Sequence, residues 1–148
     1  KDFENYEIGL SKNIFTGDKT IILCFGSILD ICKSVAKEMN SSLIDMRFIK
    51  PIDYKAIIKA SESHSLMVTV EDNSIMGGAG SAVNEVLLEH NIHIKVINVG
   101  VPDKFYHHAT REEQLDESGI SKERIMSKIE DCLKNNNLYD VNHSSNIE

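Results

Sequence analysis

The chain has 148 residues, 41% of them hydrophobic, and a formal charge of −7 with a pI near 5.3. That length suits one domain with a sizeable core. The acidic balance argues against a nucleic-acid partner, because phosphates are repelled and no Lys/Arg stripe with interleaved aromatics is present. The longest apolar runs, such as residues 21–25, are far too short to span a bilayer, and no basic-then-apolar leader opens the chain. A start at Lys1 rather than Met is what a piece of a longer polypeptide would show.

Residues 6–15 are polar and carry Gly9, a pattern expected of an additional edge strand. Ile21-Ile22-Leu23-Cys24-Phe25 is a continuous apolar run ending at Gly26, as a strand covered on both faces requires. Ser27, with Asp30 three residues on, fits a capping box, and Ile28, Cys32, Val35, Ala36 and Met39 then share one helix face. Leu43-Ile44 is a second short strand, closed by Arg47, which is expected to pair with an acid at the same edge. Pro51 ends that segment. Asp53 reads as a helix N-cap, with Ile52 and Ile57 spaced as a hydrophobic staple.

His64 precedes a third strand, residues 66–70, and is expected to be a structural hydrogen-bonder. The next helix carries Ala79, Ala82, Val83, Val86 and Leu87 on one face, and residues 94–97 supply a further strand. Ser121, with Ile120 and Ile125 as a staple, opens a last helix whose buried face is Met126, Ile129 and Leu133. Residues 135–148 are rich in Asn and Ser and are expected to fray, leaving 1–134 as the ordered domain. Strands alternating with helices predict an α/β three-layer sandwich around a mainly parallel sheet with right-handed crossovers.

The segment after the third strand is the richest in chemistry. Two carboxylates, Glu71 and Asp72, are followed by Met76 and by the glycines Gly77, Gly78 and Gly80 ahead of a helix. Loops of this kind lie at the carboxyl edge of a parallel sheet, where ligands and partners gather. Three readings stand open. Backbone N–H groups of residues 77–81 could bind a nucleotide or other anion, although Glu71 and Asp72 would repel a phosphate and Val83 stands where a dinucleotide fingerprint has its last glycine. The glycines could admit close packing of another polypeptide, or the loop could be a tight turn with its acids satisfied internally.

Other candidates are weaker. Cys24, Cys32 and Cys132 are odd in number and sit among apolar residues, as core cysteines of a reducing compartment do. His90 with His93, and His107 with His108, have no acidic or cysteine companions at ligand spacing. No P-loop, HExxH or Ser/His/Asp arrangement occurs.

Three strings together carry a resemblance. Asp45-Met46-Arg47-Phe48-Ile49-Lys50-Pro51-Ile52-Asp53 resembles the D-x-R-F-x-K-P-x-D segment of 1-deoxy-D-xylulose-5-phosphate synthases. Residues 68–83 resemble their V-T-V-E-E-N-x-x-x-G-G-A-G-S-x-V segment, and Asn98-Val99-Gly100-Val101-Pro102-Asp103-Lys104-Phe105 their N-x-G-x-P-D-x-F segment. Order and spacing agree over residues 7–133. Transketolases and the β components of 2-oxo-acid dehydrogenases share the general plan, but the wording favours the synthase. Asp72 replaces a second Glu, and His107-His108-Ala109 stands where the family often has His-Gly.

The resemblance implies the C-terminal domain of a thiamine-diphosphate- and Mg²⁺-dependent transferase. It implies a transketolase C-terminal-like fold with a mixed five-stranded sheet whose first strand is antiparallel. The full enzyme condenses pyruvate with glyceraldehyde 3-phosphate to 1-deoxy-D-xylulose 5-phosphate and CO₂, for isoprenoid and thiamine synthesis in the cytoplasm or a plastid. Its cofactor motif and activating Glu lie in the first two domains, and Gly17-Asp18-Lys19 is not that motif. The implied role is structural: contact with the N-terminal and middle domains and with a second subunit of a homodimer. Catalytic, cofactor and metal residues are expected to be absent here, and Glu71, Asp72, Met76, Gly77, Gly78 and Gly80 are the candidate contact near the parent's active site.

Overall fold

A computed structural model describes residues 6–103 and 120–143, with side chains through residue 134. Five strands form one sheet in the order β1-β3-β2-β4-β5. They are β1 (Lys12–Phe15), β2 (Thr20–Phe25), β3 (Ser42–Asp45), β4 (Leu66–Ser74) and β5 (Lys95–Val101). Among the described residues four helices, α1 (Leu29–Glu38), α2 (Tyr54–Ser63), α3 (Ala79–Glu89) and α4 (Lys122–His143), flank it. The inner strands pair in parallel, and β1 runs antiparallel to β3 at the edge. The α/β sandwich and the antiparallel first strand are as the sequence and its resemblance led one to expect.

Alternation along the strands divides the core into two layers. Ile22, Cys24, Leu43, Val68, Val70 and Val99 meet the buried faces of α1 and α4. Ile21, Leu23, Phe25 and Met67 meet α2 and α3 on the other side. Every residue of β2 is buried, which is why that strand reads as unbroken apolar sequence rather than alternating. On α4, Ile125 and Ile129 are fully buried with Ile120, while Met126 and Leu133 pack at the margin. A 2.7 Å ion pair from Lys122 to Glu38 joins the start of α4 to the end of α1.

Local signals meet three different fates. Asp53 caps α2, its Oδ1 accepting from Ala56 N–H at 3.1 Å, and Ile52 packs in the layer that buries Ile57. The Ser27–Asp30 capping box does not form. Ile28 takes the N-cap position without a side-chain bond, and Asp30 instead pairs with Lys33 at 2.9 Å on the surface. The third strand is longer than its apolar run: β4 continues through Glu71 and Asp72 to Ser74, because Glu71 pairs with Phe25 and, past a shift in register, Ser74 pairs with Val101. Helical backbone in α4 continues past residue 134 as far as His143, into the stretch expected to fray. Residues 144–148 lie outside the described residues, as do His107, His108 and Ala109.

Candidate functional site

Strand periodicity decides where the two carboxylates go. Successive residues of β4 point to opposite faces, so Glu71 turns toward α3 and Asp72 toward the start of α1. Glu71 is 2% exposed. Its Oε2 accepts from Ala79 N–H at 2.8 Å and its Oε1 from Gly80 N–H at 3.0 Å, at the first turn of α3. A buried carboxylate there satisfies two otherwise orphaned donors and sits at the positive end of the helix dipole. On the opposite face, Asp72 Oδ2 accepts from the backbone N–H of Ser27 at 2.9 Å and from its hydroxyl at 2.5 Å. Each acid thus holds the approach to one flanking helix.

The glycines make that geometry possible. Gly26 turns at φ +88, and a Cβ there would collide with the Asp72 carboxylate. At Gly80 an added Cβ would lie 2.7 Å from Thr69 Oγ1 and 2.9 Å from Asn98 Oδ1. Those two atoms share a 2.8 Å hydrogen bond between β4 and β5, so α3 rests directly on a partly buried polar pair. Gly78 is the N-cap of α3, and Gly77, at φ +71, turns the loop in the open.

The six candidate residues therefore separate. Glu71 and Gly80 are buried and Gly78 is partly so, shaping the loop from within. Met76, 71% exposed, and Gly77 form its outer rim. The anion-binding reading of residues 77–81 is corrected by this arrangement. Ala79 and Gly80 donate to Glu71, while the N–H groups of Ser81 and Ala82 reach Gly78 O. A protein carboxylate already occupies the place a phosphate would take.

Neighbouring segments complete the carboxyl edge. Arg47, at φ +58, lies 3.6 Å from Asp45 Oδ2 through its Nε, as expected of an acid at the same edge. Its guanidinium also stands 4.3 Å from the ring centroid of Tyr6, a contact no sequence spacing announces. Because β1 is antiparallel and begins opposite Asp45, the residues ahead of it lie at this same edge. Tyr6, Ile8 and Ile49 are exposed there together with Met76. Ser11, just before β1, donates both its N–H and its hydroxyl to Asp53 Oδ2, at 2.9 and 2.8 Å. Burial would raise the Asp53 pKa, but the bonds from Ser11 and Ala56, with Lys55 nearby, outweigh it and hold the carboxyl below its ordinary value.

Two histidines make structural contacts, as His64 was expected to do. His64 Nδ1 lies 2.8 Å from Ala60 O and its Nε2 2.8 Å from Ser42 Oγ. His90 stacks on Tyr54 with ring centroids 5.8 Å apart. Gly17 and Asp18 belong to the β1–β2 turn, donating their N–H groups to Ser42 Oγ and Asn40 O.

Residues 12–125 match the family described as transketolase, C-terminal domain. The chain belongs to that family. It is 42% identical over 123 residues to 1-deoxy-D-xylulose-5-phosphate synthase of Pseudoalteromonas translucida, covering 83% of this chain and 20% of that protein. With the synthase of Hamiltonella defensa it shares 44% over 123 residues, again 83% and 20% of the two chains. The Shigella flexneri synthase is 45% identical over 117 residues, 79% of this chain and 19% of its own. The chain thus spans about a fifth of the curated relatives it matches. A split-gene transketolase, solved as an inactive β4 tetramer, superposes with a TM-score of 0.81 at 28% identity, covering 88% of this chain and 44% of the other. The resemblance carried by the three motifs is met by these likenesses, and the transketolase C-terminal-like fold with them.

Proposed function

We propose that this chain serves as the C-terminal structural and dimer-forming domain of a 1-deoxy-D-xylulose-5-phosphate synthase, acting in the cytoplasm. The parent enzyme would condense pyruvate with glyceraldehyde 3-phosphate, releasing CO₂, with thiamine diphosphate and Mg²⁺ held by its other domains. Identity of 42–45% to synthases, against 28% to the transketolase neighbour, favours the synthase over the related enzymes. The observation that carries the structural role is the fate of the two acids: both are engaged in fastening helices, not turned toward a ligand.

The residues of the glycine loop do not fit the cofactor. A diphosphate would need the N–H donors that Glu71 already fills. Among the described residues no group of three His, Cys, Asp or Glu side chains is placed to hold a metal ion. When bound in the parent, thiamine diphosphate supplies the electron sink for decarboxylation. This chain's contribution is to support the walls around it.

Contact with the other domains and with the second subunit of the homodimer runs through the outer rim at Met76, Gly77 and Gly78, with Asp72 and the inward Glu71 and Gly80 holding the rim in shape. Calorimetry of the full 148-residue chain with thiamine diphosphate and Mg²⁺ tests the assignment. No binding heat and no synthase turnover are expected of the chain alone. Micromolar binding would overturn the reading.

A further inference from the structure

We infer that a groove between α2 and the β1–β3 edge is a binding site for a small anion with an apolar body, a short-chain carboxylate or phosphomonoester. On this face α2 lies over the middle of the sheet, and the sheet continues beyond it to β3 and β1. The small side chains Ala56 and Ala60 of α2 leave about 420 Å³ open against Ile21 and Ile44. That volume lies within the range of small-molecule sites. The end wall is built and rigid. His64 is held by Ala60 O, which sets Nδ1 as the donor and leaves Nε2 to accept from the Ser42 hydroxyl, while Gly17 N–H donates to Ser42 Oγ.

Charge gives the ligand's sign. The lining contains the Lys59 ammonium, an imidazole and neutral amide and hydroxyl groups, with no carboxylate, in a chain of net charge −7. Asp53, which adjoins through Ser11, directs its oxygens to Ser11 and the first turn of α2. The side chains of Lys59, Asn13 and Thr16 make no hydrogen bond or ion pair among the described residues, so a cation and two neutral polar groups face the opening. An apolar floor under one cationic and several neutral donors suits an anionic head on a short hydrocarbon tail. The site is separate from the carboxyl-edge rim, and its test does not depend on the domain assignment.

Amide and side-chain chemical shifts of the full chain, titrated with butyrate, ethyl phosphate or neutral 1-butanol, read this site. Saturable shifts at Asn13, Thr16, Ser42 and Ile44 are expected at about 1–10 mM of at least one anion, the affinity a ligand of a few heavy atoms reaches. Saturation by butyrate alone or by ethyl phosphate alone identifies which head group the site takes, and either supports it. Lys59→Glu, on an exposed position, is expected to weaken binding about tenfold with the circular dichroism spectrum unchanged. Asn13→Phe, which fills the groove from the edge strand, should abolish it. Equal binding of butanol, no saturable shifts with either anion, or indifference to Lys59→Glu would overturn the proposal.

Discussion

Glu71 and Asp72 are neighbours in sequence and serve opposite layers of the sandwich. Glu71→Gln would keep the size of the side chain but present an NH₂ group to one of the two donors at Ala79 and Gly80. A loss of about 1–3 kcal/mol is expected, the range for a buried charged hydrogen bond left half-made. Urea denaturation with an unchanged m-value would read it, and a neutral result would mean that Glu71 does not hold α3. Asp53 allows a second test at the same scale. Its folded pKa is depressed by Ser11, Ala56 and Lys55 against the opposing effect of burial. The stability it contributes is therefore complete above the unfolded carboxylate value and is lost as pH falls through the folded one. Asp53→Asn is expected to cost stability at pH 7, by less than the roughly 0.5–2 kcal/mol of losing the cap altogether. The cost should shrink at acid pH, so a pH-independent difference between the two proteins would exclude the carboxylate's charge as the cause.

Among the elements, α4 depends most plainly on a few side chains. Its contribution to the core is Ile125 and Ile129, both fully buried, placed beside α1 and fastened at one end by Lys122 and Glu38. The exposed ion pair adds little, so the apolar contacts hold the helix. Ile129→Ala is expected to cost about 2–5 kcal/mol, lost transfer energy plus the cavity left behind. A thermal or chemical midpoint near that of the parent would show that α4 is dispensable to the domain. Residues 66–70 illustrate a limit of pattern reading at this scale. The apolar run marks where β4 meets the apolar core, whereas the strand itself continues as long as its backbone finds partners, through the buried Glu71 paired with Phe25.

At the scale of the whole molecule, the cysteines report on global opening. Cys24 on β2 and Cys32 on α1 are fully buried in one layer, and Cys132 is partly exposed near the margin. A hydrogen bond with Cys32 and burial push the Cys24 thiol far above its ordinary range, keeping it protonated. Iodoacetamide at pH 8 is therefore expected to modify Cys132 first. Cys24 and Cys32 should follow only at the rate at which the domain opens. Peptide mapping by mass spectrometry checks the order, and early modification of Cys24 would contradict a closed core between the sheet and α1.

Much of the fold was legible from residues alone because burial on both faces leaves its mark at each position. Ile21 to Phe25 reads as an inner strand since nowhere along it does a side chain meet water. Asp53 reads as a cap since its partner is three residues away, and the helix faces repeat at the spacing that one sheet surface imposes. The family, too, was written in short contiguous strings. Only the tertiary structure decided where Glu71, Asp72 and Ser27 turn. The Ser27 capping box had the local spacing, yet Asp72, 45 residues away, takes its hydroxyl and N–H. The groove beside α2 was equally invisible, assembled from β1, β3 and α2 by strand order. A hydrogen-bonding group carries no sign of which distant partner will reach it, whereas an apolar one needs only to be inside.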